Sequence, residues 1–141
     1  MKNKFNLYLI ILVLLGTTVT SCKKDAGSGG DSSITGRVFV ENYNSSFTSL
    51  VNEYNAGAED VYIIFGNDLS YGAHAKTSYD GMYDFKYLQP GKYKVFAYSK
   101  DSAGLYKNQQ NLNAPKIAII KEVEITKSKE TLNLDNIVIL K

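Results

Sequence analysis

"TSYDGMYDFKYLQPGKYKVFAY", residues 77–98, decides the fold. In "MYDFKY", Tyr83, Phe85 and Tyr87 alternate with Met82, Asp84 and Lys86. In "KYKVFAY", Tyr93, Val95 and Ala97 share one phase. Strict alternation of aromatic or β-branched residues with polar ones is the period of a strand with one buried face. Asp80-Gly81 precedes the first run and predicts a hairpin with the run before it. Pro90-Gly91 separates the two runs, supplying a fixed φ and then a residue tolerant of positive φ.

The same period extends outward on both sides. "ITGRVFV" (34–40) puts Ile34, Val38 and Val40 on one face. "EDVYIIF" (59–65) faces Val61, Ile63 and Phe65 one way, with Tyr62 and Ile64 behind. "SYGAHAKT" (70–77) alternates weakly, Tyr71, Ala73 and Ala75 against His74 and Lys76. "KIAIIKEVEI" (116–125) and "TLNLDNIVIL" (131–140) bring the count to seven strands; the last changes phase between Leu132/Leu134 and Ile137/Ile139, which predicts a bulge or cover on both faces. Seven short strands with turns between them predict an all-β sandwich. One segment departs from period two. "SSFTSLVNEY" (45–54) spaces Phe47, Leu50, Val51 and Tyr54 at i, i+3, i+4 and i+7, with Ser45 or Ser46 as cap, and predicts a short helix in the first long loop.

The order of these signals resembles the carboxypeptidase regulatory-like domain, of the transthyretin-like (prealbumin-like) superfamily. The resemblance rests on "ITGRV"; on Ala56-Gly57-Ala58 followed by Val61 and Ile63, with one extra residue before the valine; on Thr77, Asp80, Gly81, Tyr83 and Phe85; and on Leu88, Pro90, Gly91, Tyr93, Val95 and Ala97. It covers residues 34–98 and extends loosely over the last two strands. It implies a seven-stranded antiparallel Greek-key β-sandwich. Two features of the wider superfamily are not matched. Arg37 stands where related adhesin domains carry an isopeptide-forming lysine, and a single histidine with an "IVILK" end does not fit the superfamily's hydroxyisourate hydrolase.

The N-terminus decides location. "MKNKFN" is basic, "LYLIILVLL" (7–15) is apolar, and "GTTVTS" is small and polar, which together predict a signal peptide over residues 1–21. The apolar run is about half of the roughly 20 residues a spanning helix needs. Val19-Thr20-Ser21-Cys22 resembles the bacterial lipobox, which implies cleavage before Cys22 and acylation of it. Two or more acyl chains give stable anchoring where one does not. The "KKD" that follows resembles the charged lead-in of Bacteroidetes surface lipoproteins. Residues 22–33 then read as a lipidated cysteine and flexible linker, spanning roughly 15–20 Å, and 34–141 as the folded domain. The expected location is the outer membrane, on its periplasmic or cell-surface face.

Charge and chemistry narrow the function. The chain has 16 basic and 14 acidic residues, and loss of Lys2 and Lys4 with the leader brings the two into balance, so nothing favours nucleic acid. Cys22 is the only cysteine, which excludes an internal disulfide and a cysteine zinc site. His74 is the only histidine and lacks an evident acid partner for base catalysis; it reads as a strand-face imidazole. Asn67 and Asp68 are adjacent rather than alternating, so they do not form a calcium loop, and Asp80 reads as a turn residue. Gly27, Gly29 and Gly30 follow no strand and read as linker.

No enzyme, cofactor or metal is therefore expected. The primary expectation is a non-catalytic module for protein interaction or structural support at the cell envelope, and the alternative is glycan binding. Tyr71, Tyr79 and Tyr106 are candidates for stacking on sugar rings. The 17-residue loop "SKDSAGLYKNQQNLNAP" (99–115) supplies the candidate binding residues Tyr106, Asn108, Gln109, Gln110 and Asn111. Loops beyond about 12–15 residues without structure of their own are usually functional or disordered.

Overall fold

The computed structural model describes residues 25–102 and 116–141. Nine strands and no helix are found among them: β1 (Ser28–Tyr43), β2 (Leu50–Asn55), β3 (Asp60–Phe65), β4 (Ala73–Lys76), β5 (Met82–Leu88), β6 (Gly91–Lys100), β7 (Lys116–Ile125), β8 (Thr131–Asn133) and β9 (Ile137–Leu140). They form two sheets. One is wholly antiparallel, in the order β4-β3-β6-β7. The other is built on β1, which pairs antiparallel with β5 and then β2, and parallel with β8 and then β9. The Val38 N–H donates to Gly81 (2.9 Å) and its carbonyl accepts from Ala56 (3.0 Å). Both groups of one strand residue point to the same edge, so β5 and β2 follow one another along that edge of β1.

The inner faces meet in one core. Ile34, Val38 and Val40 from β1, Val61 and Ile63 from β3, Tyr83 and Phe85 from β5, Tyr93 and Val95 from β6, and Ile137 and Ile139 from β9 are all buried. The expected alternation of these residues holds. The last expected strand is broken in two: β8 and β9 flank residues 134–136, and Leu132 and Leu134 pack against the core from the side.

Four expectations need correction. The helix over 45–54 is absent. The Asn44 side-chain carbonyl accepts the N–H groups of Thr48 (2.9 Å) and Ser49 (3.3 Å), Phe47 takes a positive φ of 55°, and the chain turns back so that β2 pairs with the end of β1. An asparagine closing its own turn outcompeted an apolar spacing that had no core to face. Asp80-Gly81 does not close a hairpin. It makes a tight turn, with the Gly81 N–H on Ser78 (2.9 Å), but β4 and β5 belong to different sheets, so this turn crosses the sandwich. Tyr87 is exposed: a φ of 59° there breaks the alternation and sends Leu88 into the core instead.

The fourth correction concerns the linker. β1 begins at Ser28, not Ile34. Ser32 is buried, its hydroxyl donating to the Lys127 carbonyl (3.1 Å) and accepting from the Glu130 N–H (3.1 Å). A Cβ at Gly30 would stand 2.0 Å from the Leu88 carbonyl oxygen, so the small residues that looked like tether allow close backbone approach to β5.

Candidate functional site

β3 and β6 are the two central strands of the four-stranded sheet, and both carry apolar residues on both faces. The inner set fills the core. The outer set has no second layer over it among the described residues, and its rings gather on each other. Strand register puts His74, Tyr62, Phe96 and Ile120 side by side across β4, β3, β6 and β7. Tyr62 is the hub. Its ring stacks on Phe96 (5.2 Å between centroids, 18° between planes) and meets Tyr71 and Tyr98 edge-on at 5.0 and 5.6 Å. His74 lies 6.1 Å away, and Phe96 meets Tyr98 edge-on at 5.5 Å. Offset and edge-to-face geometries are those that ring quadrupoles favour.

The cluster has a dry floor and a wet rim. Phe96 is 6% exposed, while Tyr71 and Tyr98 keep 53% and 42% of their surface. Burial among the rings, and then the Asp60 carboxylate, push the Tyr62 hydroxyl above its ordinary pKa, so it stays protonated and can both donate and accept. Asp60 and Lys76 flank the cluster as an exposed ion pair at 2.9 Å. The hydrogen bond from Lys76 lowers the Asp60 pKa, and the same bond raises that of Lys76. Such a surface offers flat apolar area with charged and hydroxyl groups at its border. No group of three or more His, Cys, Asp or Glu side chains that could hold a metal occurs among the described residues. His74 lies beside the Tyr62 and Tyr71 rings.

The residues expected to bind are divided by the structure. Tyr71 joins the cluster. Tyr79 is 97% exposed at the β4–β5 turn and borders a separate shallow groove with Tyr54, Asn55, Gly57, Ala58 and Thr77. Cys22, Tyr106, Asn108, Gln109, Gln110 and Asn111 lie outside the described residues. Tyr62, Phe96 and Tyr98 escaped the sequence reading because they sit on the back of strands whose inner phase was already assigned. The available signal was that "VYIIF" and "VFAY" are apolar on both phases, which marks strands covered on both sides.

No helix of the described residues is long and apolar enough to cross a membrane. No family model matches the chain, and no curated protein matches it. Among solved structures, a "putative carbohydrate binding protein" from Pseudomonas aeruginosa is similar over 82% of this chain and 92% of its own, at 13% identity and a TM-score of 0.45. A likeness that remote carries no argument about ligand.

Proposed function

We propose that the chain is an exported lipoprotein, held at the outer membrane by acylated Cys22, that acts by binding rather than catalysis and engages glycans through the ring cluster around Tyr62. The observation that carries this is the cluster itself: five aromatic or imidazole rings on one sheet face, with Tyr71 and Tyr98 open to solvent beside an ion pair. Sugar rings present apolar C–H faces and polar edges, and this surface matches both. A prealbumin-like Greek key of the carboxypeptidase regulatory-like kind fits the two sheets, with nine strands rather than the seven expected and with β8 and β9 parallel to β1 rather than antiparallel.

The test is a glycan array with the soluble domain, comparing the native chain with Tyr71→Ala/Tyr98→Ala and Tyr106→Ala/Gln109→Ala variants. Loss of signal in the first pair supports the cluster as the site. Equal binding by the native chain and the Tyr71/Tyr98 variant overturns it.

A second reading, protein interaction, is favoured by β2. All six of its residues are exposed, and it pairs with β1 alone among the described strands. An unpaired strand edge accepts an extended partner segment. Pull-down lost on Val51→Pro but kept in the Tyr71/Tyr98 variant would select this reading.

A further inference from the structure

The chain enters the sandwich at a fixed point. Ala26 packs against the core. The Gly27 N–H donates to the Tyr93 hydroxyl (3.0 Å), and its carbonyl accepts the Gln89 N–H (2.9 Å). The Gln89 side chain also donates to the Ser28 carbonyl (3.0 Å). A Cβ at Gly91 would come within 2.7 Å of the Ala26 Cβ, so the β5–β6 turn lies directly on this entry. A Cβ at Gly66, which opens the β3–β4 loop, would stand 3.9 Å from the Ala26 Cβ. From Cys22 to Gly27 is five residues, a reach of at most about 18 Å.

That end of the sandwich carries an apolar side chain with nothing against it. Leu69, near the middle of the β3–β4 loop, is fully exposed. Single exposed apolar residues are common on protein surfaces. This one stands three residues from the glycine that borders the chain entry. Lys92 at the start of β6, and Lys127 and Lys129 in the β7–β8 loop, are exposed at the same end. Asp25, Asp31, Asp68 and Glu124 are exposed at this end as well, Glu124 directly opposite Lys92, so charge of both signs surrounds Leu69.

We infer that this end is a lipid-contacting surface, with Leu69 seated at the headgroup–acyl boundary. The inference rests on acylation of Cys22 as proposed above, and it adds a fixed orientation. The β5–β6 turn and β3–β4 loop face the membrane, and the β4–β5 turn with Tyr79 faces away. A short reach and a docked entry leave the domain little freedom to present another end. Partial burial of apolar area supplements lipid anchoring.

Acylation blocks the only native thiol, so a cysteine introduced elsewhere is the sole labelling site. Full-length Leu69→Cys and Tyr79→Cys proteins, purified from membranes and labelled with an environment-sensitive fluorophore, are reconstituted into phosphatidylethanolamine–phosphatidylglycerol vesicles bearing nitroxide lipid. The expected result is a blue shift and loss of emission at residue 69, and neither at residue 79. Protein that floats with the vesicles while the label at 69 stays solvent-like, or behaves as the label at 79 does, overturns the inference and leaves the anchor standing. Protein that fails to float, with Cys22 itself taking label, overturns both.

Discussion

Tyr93 shows how one side chain can hold a motif together. Its hydroxyl donates to the carbonyl of Gln89, four residues upstream (2.5 Å), and accepts from the Gly27 N–H, so it closes the β5–β6 turn and clamps the incoming chain at once. That explains why leucine, proline, glycine and tyrosine occur together in "LQPGKY": Leu88 enters the core, Pro90 and Gly91 make the turn, and Tyr93 ties it. Tyr93→Phe removes the hydroxyl and leaves backbone groups unpaired, which should cost about 1–3 kcal/mol by chemical denaturation. Phe85→Ala empties part of a sealed core and should cost about 3–5 kcal/mol, read from the same curves. Tyr83 gives a pH signature. Its hydroxyl is buried with no hydrogen-bond partner, and burial pushes its pKa from 10.0 to about 12. The folded protein therefore keeps a proton that the unfolded chain releases above pH 10. The associated stability is full below that pH and is lost, by about 2–3 kcal/mol, as pH climbs toward 12. Alkaline denaturation of Tyr83→Phe should lack this component.

At the scale of elements, legibility followed burial. β3, β5, β6 and β9 were readable because each has a face sealed in the core, which forces the period. β2 was not, because all six of its residues are exposed and neither face is sealed in the core. The spacing of Phe47, Leu50, Val51 and Tyr54 was therefore fortuitous, and the Asn44 turn decided the outcome. The Ser28–Ser33 portion of β1 was hidden by composition, since glycine and serine serve a close-packed strand as readily as a tether. Of the ring cluster, Tyr71 was legible as a loop aromatic and His74 as a strand-face imidazole, while Tyr62, Phe96 and Tyr98 were concealed in strand phase. Because β2 is exposed throughout, Val51→Lys should change unfolding free energy by no more than about 0.5 kcal/mol. A larger loss by chemical denaturation would mean that β2 packs more tightly than its exposure indicates.

For the whole molecule, the central fact is that β1 is the hub of its sheet and takes its parallel partners from the other end of the chain, Ser33 opposite Thr131 and Glu41 opposite Leu140. Deleting residues 137–141 removes two sealed isoleucines and leaves one edge of β1 open; the shortened chain should lose its β-rich circular dichroism and cooperative melting. The same arrangement also sets a clock on biogenesis. A chain made from its N-terminus produces β1 first, yet cannot complete the sheet around it until the last residues emerge. Contacts of such long sequence separation form late, because closing the intervening loop must precede their reward. If the chain is exported unfolded, as proposed above, a sheet that waits for β9 stays open until that strand has crossed.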